Sequence, residues 1–208
     1  MTETLSTGIE VLDRELDGGL PEGSVLVLSA SPVSQSELFL YEMAAVRPTV
    51  YLTTERVESD VLDGLEGTGT STRDVDVHRI TPEEPFTEAR GAIETLPERG
   101  TLIVDPIRLF ERSDAAAYRT FMNDLKTRTA ETDSLTLLHC LEGRRVPDQR
   151  DRTEYLADII FDLSTELRGG KMQNSLSIPK FRGGKALPEA VDLDLTADVT
   201  IDVSRKIA

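Results

Sequence analysis

Ser6-Thr7-Gly8-Ile9-Glu10-Val11-Leu12-Asp13, continued by Leu16-Asp17-Gly18-Gly19-Leu20-Pro21-Glu22-Gly23-Ser24, is the stretch on which the fold is decided. Its paired glycines and its Pro-Glu-Gly are turn chemistry, because glycine reaches backbone angles closed to other residues and proline presets φ. Directly after it comes Val25-Leu26-Val27-Leu28-Ser29, a continuous apolar run that predicts a strand buried on both faces. Glu37 to Val46 then predict a helix.

Further along, apolar runs of strand length alternate with helix-like segments, the signature of βαβ units around a parallel sheet. Strands are expected at Thr49 to Thr53, Val75 to Ile80, Thr101 to Asp105 and Leu135 to Leu141. Helices are expected around Ser59 to Leu65, Phe86 to Leu96, Ala115 to Ala130 and Thr153 to Ala157, with loops over Gly64 to Asp74 and Glu142 to Asp151. Tyr118, Phe121, Met122 and Leu125 recur at helical spacing, so that helix should pack one face on the sheet. After Asp158 the pattern changes. Ile159 to Leu167, Ser175 to Phe181 and Val199 to Val203 read as strands, the first two followed by the tight turns Arg168-Gly169-Gly170 and Arg182-Gly183-Gly184, which fits antiparallel pairing. The expected class is α/β in three layers, a mostly parallel central sheet with antiparallel strands at its C-terminal end, in one domain over residues 1–208.

The 208 residues carry 38 Asp and Glu against 23 Lys and Arg, a net charge of −15. Such a surface repels phosphate backbones and anionic bilayers, so any nucleic-acid contact would need a local basic island. No apolar run approaches the ~18 residues that span a bilayer. Met1 to Ser6 lack the basic start and apolar core of a secretory signal, which makes the cytoplasm the expected compartment. One cysteine, Cys140, leaves no intrachain disulfide, and Cys140, His78 and His139 show no metal-ligand spacing. Lysine occurs only as Lys126, Lys171, Lys180, Lys185 and Lys206. Scarce lysine beside abundant Asp, Glu and Thr resembles the adaptation of proteins from extremely halophilic archaea.

The opening stretch resembles the start of the ATPase core in the KaiC and RadA branch of the RecA superfamily, where it leads into the first core strand and the phosphate-binding loop. Tyr51-Leu52-Thr53-Thr54-Glu55 is similar to that family's second strand with its acidic residue. Leu102-Ile103-Val104-Asp105 is similar to the Walker B strand, and Tyr155-Leu156-Ala157-Asp158 to the segment before the last core strands. Lys180-Phe181-Arg182-Gly183 is similar to the Lys-x-Arg-Gly hairpin of KaiC. The resemblance covers nearly the whole chain and implies a RecA-like fold and an oligomeric, nucleotide-dependent ancestry.

The loop that should hold phosphate does not have the residues to do so. A phosphate loop reads G-x-x-x-x-G-K-[ST], with glycines that let backbone N–H groups converge and a lysine that neutralises the β and γ charges. Here the stretch is Ser29-Ala30-Ser31-Pro32-Val33-Ser34-Gln35-Ser36. Serines replace both glycines, Pro32 lacks an N–H, and Gln35 stands at the lysine position. Ser34 and Glu37 have capping-box spacing, which predicts that they satisfy the helix N-terminal donors themselves. Only Ser36 keeps a family role, as a magnesium ligand. No competent ATP site, no nucleotide cofactor and no metal are therefore expected.

Glu55 matches the acidic position that polarises the attacking water, although Arg56 stands where a second glutamate is common; Asp105 matches the Walker B aspartate. Both are expected to be vestigial, as strand-end carboxylates. The resemblance makes Lys180 and Arg182 a finger reaching across a subunit interface, and places Arg144 and Arg145 on a loop facing a pore or nucleic acid, with Arg150, Arg152, Arg108 and Arg112 nearby. Glu142, Asp148, Asp151 and Glu111 interleave with them, and Phe110 is the one aromatic at hand for base stacking. Cys140 reads as a small buried hydrophobe. The expected function is that of a KaiC-like pseudo-ATPase, a regulatory or scaffolding partner of an active RecA-family homologue or of further copies of itself. The alternatives are an atypical nucleotide hydrolase holding Mg-ATP through Ser36, Asp105 and Glu55, and a DNA-associated accessory protein of recombination or transcription.

Overall fold

The computed structural model describes residues 3–184 and 187–201. The opening stretch forms β1 (Thr4–Leu5) and β2 (Leu20–Pro21), paired antiparallel on either side of α1 (Glu10–Glu15). Asp13 is its clasp. One carboxylate oxygen accepts from the Thr7 amide and the Thr7 hydroxyl, both at 2.7 Å, and the other accepts from the Ser6 hydroxyl. Gly8 has φ +84°, and a Cβ there would stand 2.4 Å from the Glu42 carbonyl oxygen. Gly8→Ala is therefore expected to lower stability by about 2–3 kcal/mol, the sum of left-handed strain and overpacking, as read by denaturant unfolding. The motif residues are thus occupied in joining the N-terminal segment to the sheet and its first long helix.

The central elements follow as β3 (Val25–Ala30), α2 (Glu37–Ala45), β4 (Thr49–Thr53), α3 (Glu58–Gly67), β5 (Val75–Arg79), α4 (Pro85–Ile93) and β6 (Thr101–Asp105). Next come α5 (Arg108–Glu111), α6 (Ala115–Glu131), β7 (Leu135–Leu141) and α7 (Arg150–Leu156), and the chain ends in β8 (Ile159–Arg168), β9 (Lys171–Phe181), β10 (Val191–Leu195) and β11 (Val199–Ile201). Among the described residues the main sheet has nine strands in the order β11-β10-β9-β8-β3-β7-β6-β4-β5. From β8 to β5 the pairing is parallel, and β9, β10 and β11 join antiparallel.

Alternate residues of β3 feed opposite cores, as strand geometry requires. Leu26 and Leu28 pack with α1, α2 and α3, while Val25 and Val27 pack on the side of α4, α5 and α6. The three expected layers result. α2 is buried nearly all round, at Leu38, Phe39, Leu40, Tyr41, Met43 and Ala44, so the strand-to-helix loop before it is fixed from below. The tight turns of the C-terminal hairpin form as expected, with Gly169, Gly170 and Gly183 at positive φ.

The elements differ from the sequence expectation at several points: β1, α1, β2 and α5 were not expected, α3 runs on to Gly67 inside the expected loop, and β9 begins at Lys171, ahead of the expected Ser175. β10 was not expected, although Val191-Asp192-Leu193-Asp194-Leu195 alternates with the period of a half-buried strand. The helix placed at Thr153 to Ala157 begins earlier, at Arg150, inside the expected charged loop, because Arg150 is drawn into the core. The last expected strand is β11 over Val199–Ile201, and Asp202 and Val203 lie outside the described residues. No helix among the described residues is long and apolar enough to cross a membrane.

Candidate functional site

In a parallel sheet the loops beyond the strand C-termini meet at one end, and here β3, β4, β6 and β7 bring Ser36, Arg56, Asp105 and His139 together. The Asp105 carboxylate is buried and both of its oxygens are engaged. Oδ1 lies 2.6 Å from His139 Nδ1. Oδ2 accepts from the Tyr51 hydroxyl at 2.7 Å and from the Arg56 guanidinium at 2.6 Å. On its far side His139 Nε2 lies 3.0 Å from Ser36 Oγ. Arg56 also donates to the Tyr41 hydroxyl at 2.7 Å and to the Tyr51 hydroxyl at 3.0 Å, which ties α2 and β4 to the same carboxylate.

Burial by itself would raise the Asp105 carboxyl. The His139 hydrogen bond and charge, the Arg56 guanidinium and the Tyr51 hydroxyl outweigh it and hold the group well below the usual carboxylate range. Burial and the neighbouring Asp105 push the Tyr51 hydroxyl up, so it stays protonated and donates. Ser36, His139 and Asp105 have the contacts of a hydrolytic triad, but Ser36 is 2 % exposed and its Oγ faces the core. The three side chains form an internal strut.

These residues do not fit a magnesium ion. Ser36 Oγ is spent on His139, and both Asp105 oxygens are spent on His139, Tyr51 and Arg56. Two cation-capable side chains, one of them the permanently charged Arg56, already satisfy the carboxylate that would orient a metal. Glu55 is exposed beside them.

The loop after β3 has its own internal partners. Ser29 donates to Glu142 at 2.7 Å, fastening the ends of β3 and β7, and Ser34 donates to the Ser31 carbonyl at 2.7 Å. The expected capping box is absent: α2 has Ser36 as its N-cap and no side chain caps it. Ser34 turns back into the loop, where its hydroxyl donates to the carbonyl of Ser31. Pro32 and Val33 are exposed, as is Gln35. Beside the loop lies a cleft of ≈ 580 Å³, lined in part by Val33, Ser34, Gln35, Lys171, Met172 and Asn174. The ammonium lining it, Lys171, comes from the start of β9 and not from the loop.

The basic residues separate into two groups. Lys180 and Arg182 lie at the opposite end of the sheet from the loop and are turned onto α7. Lys180 Nζ donates to the carbonyls of Glu154 at 2.6 Å and Tyr155 at 2.9 Å. Arg182 donates to the Tyr155 carbonyl at 3.2 Å and stands 3.5 Å from Asp158, which Lys126 also meets at 2.9 Å. Burial, Arg182 and Lys126 push the Lys180 ammonium down. Arg144 and Arg145 are exposed on the loop after β7, and the Arg108 guanidinium approaches the Arg145 carbonyl. Three of their expected neighbours are not available to a ligand: Arg150 is buried in a bidentate pair with Glu111, Arg152 bonds Ala115 and Gln149, and Phe110 is buried and stacked on Phe121, while Arg112 stays exposed. Cys140 is fully buried, and burial pushes its thiol up.

Sequence reasoning missed His139, which it placed at the end of an apolar strand, and the pairing of Arg56 with Asp105. A signal was present for the second. An arginine directly after an acidic family position, with a Walker B aspartate two strands of sequence away, is a charge pair waiting for a sheet to bring it together.

Parallel core strands, antiparallel C-terminal strands and ligand loops at the strand ends define the KaiC-like form of the RecA fold. The structure is similar to the crystal structure of the KaiC-like protein PH0186 from the hyperthermophilic archaeon Pyrococcus horikoshii OT3, with a TM-score of 0.80 over 97 % of this chain and 99 % of that one, at 14 % identity. By sequence, the chain belongs to the family described as "Family of unknown function (DUF7125)", which matches residues 4–208. No curated protein matches it.

Proposed function

We propose that this chain is a KaiC-like pseudo-ATPase, a non-hydrolysing member of the RecA superfamily that acts as a regulatory or scaffolding partner. The observation that carries the reading is the saturation of Asp105 by His139, Arg56 and Tyr51. Phosphoryl transfer in this fold depends on a lysine in the loop, a metal held by the loop hydroxyl and the Walker B aspartate, and an activated water. Gln35 lacks the charge, and Ser36 and Asp105 are bonded elsewhere. What remains of the fold is a rigid body with surfaces. The acidic, lysine-poor composition supports a halophilic archaeal setting, in which −15 reports the solvent more than the partner. Its partner is a KaiC- or RecA-family homologue or another copy, reached through the hairpin that carries Lys180 and Arg182.

Calorimetry with Mg-ATP in molar KCl is expected to show no saturable heat for the wild type. Gln35→Lys alone is expected to behave the same way, since the restored ammonium would still face an occupied Asp105. Saturable micromolar binding by the wild type would replace this reading with that of an atypical hydrolase using Ser36, Asp105 and Glu55. The DNA-accessory reading keeps Arg144, Arg145 and Arg112 as exposed cations but loses its stacking residue, because burial and pairing take Arg150, Arg152 and Phe110 away from that loop.

A further inference from the structure

We infer that the ribbon formed by β8 and β9 is a strap that closes on the loop after β3, seating Leu167 and Met172 against Val33 and shutting the cleft between them. This goes beyond the reading above and does not depend on it.

Neighbouring strands support only the base of the ribbon. β3 accompanies β8 as far as Ala30 opposite Leu163, and β10 reaches β9 as far as Leu193 opposite Asn174. Among the described residues, 166–173 therefore pair only with one another. A two-stranded ribbon without a third strand is marginally stable in water and twists more freely than a wider sheet.

The two faces of the ribbon differ. Side chains alternate along each strand, so the cross-strand pairs Leu163 and Leu176, Thr165 and Asn174, and Leu167 and Met172 share one face. The lowest pair is buried in the core, and the middle pair is joined by a 2.9 Å hydrogen bond from Thr165 Oγ1 to Asn174 Oδ1. The top pair is exposed, Leu167 at 70 % and Met172 at 60 %. On the opposite face lie Ser164, Glu166, Arg168 and Ser175, with Arg168 paired to Glu166. The apolar stripe thus runs out of the core onto the unsupported tip.

Across the cleft stands Val33, 84 % exposed. Of seven large apolar side chains exposed among the described residues, Val33 and Met172 line this cleft and Leu167 is the cross-strand partner of Met172, so each rim is apolar surface that can cover the other. The cleft is also lined by Leu193 and Leu195. Leu167 stands about 13 Å beyond Leu163 at ~3.3 Å per residue, so a bend at the base swings the tip over the opening. Closure buries apolar side chains and needs no ion pair, so molar salt does not screen it. Closed, the strap covers Ser34 and Gln35, which line the same cleft. Open, it leaves both apolar rims to a partner.

Pulsed electron spin resonance on the full chain tests this, with nitroxide labels at the exposed positions of Gln35→Cys and Lys171→Cys; Cys140 is fully buried and takes no label. In molar KCl the distance distribution is expected to contain a second component, shorter than the open form gives. Val33→Ser, and separately Leu167→Ser with Met172→Ser, should each lower that component about fivefold or more. Val146→Ser, at an exposed valine outside the cleft, should leave it unchanged. Thermal melts show that each variant is folded. A single open distance at every salt concentration overturns the inference, as does a shorter component that survives both sets of cleft changes. A shorter component that vanishes when the labelled protein is diluted with an excess of unlabelled protein also overturns it, because a second copy then covers the rims.

Discussion

Asp105→Ala is expected to destabilise the protein by about 3–5 kcal/mol, because it removes the one carboxylate that the Arg56 charge, the His139 ring and the Tyr51 hydroxyl share and leaves buried donors short of a partner. The sign of this result separates two kinds of site. In an open metal site the aspartate is an unsatisfied negative charge waiting for its ion, and its removal relieves the unliganded protein. Here the carboxylate holds four elements together: β6, β7 through His139, β4 through Tyr51, and α2 through Arg56 and Tyr41. Denaturant unfolding of the variant would therefore contradict the closed-site reading if stability rose. The pH dependence gives a second reading of the same group. The folded carboxyl titrates below its unfolded value, so its contribution is complete above the unfolded pKa and is lost as pH falls through the folded one. The stability gap between wild type and Asp105→Asn should be full above about pH 5 and should narrow progressively as pH falls below about 4, closing only at the much lower folded pKa.

The second large effect is expected at Arg150, a residue with no assigned chemistry. Its guanidinium meets Glu111 through Nε at 2.8 Å and a terminal nitrogen at 2.9 Å, with both side chains shielded from solvent. The Thr153 hydroxyl donates to the same carboxylate at 2.6 Å and in turn meets the Tyr118 hydroxyl at 2.6 Å, so α5, α6 and α7 share one polar node. Arg150→Met should cost about 3–5 kcal/mol by stranding the Glu111 charge, whereas Arg150→Met with Glu111→Leu should cost far less, because an apolar pair needs no desolvation repaid. A double-mutant cycle in urea measures the difference. Equal losses for the single and double variants would show that the pair contributes packing and not charge. The node also steadies the seat of the C-terminal hairpin, since Lys180 and Arg182 donate to carbonyls of α7.

The alternation of strands and helices was legible from residue to residue. Apolar runs such as Val25 to Ser29 and the helical spacing of Tyr118, Phe121, Met122 and Leu125 encode local structure directly. β10 escaped because its alternation is short and follows a glycine turn, and the start of α7 escaped because Arg150 looks like a surface charge until Glu111 is placed beside it. The predicted capping box failed for a related reason. Spacing suits Ser34 and Glu37 to the helix amides, but the Ser34 hydroxyl donates to the Ser31 carbonyl instead.

The sequence by itself determined that the loop after β3 lacks the glycines and the ammonium that phosphate requires, since those are properties of single residues at fixed positions in one short segment. Through hydrophobic period and turn chemistry it also determined the class, a mostly parallel α/β sheet with antiparallel strands at its C-terminal end. Only the tertiary structure decided what the leftover site residues do. Asp105 meets His139 from 34 positions away along the chain, and His139 meets Ser36 across 103. Hydrogen bonds over such separations depend on strand order in the sheet, which no local pattern of residues encodes. The same is true of Lys180 and Arg182, whose charge is plain in the sequence and whose anchorage on the end of α7 is not.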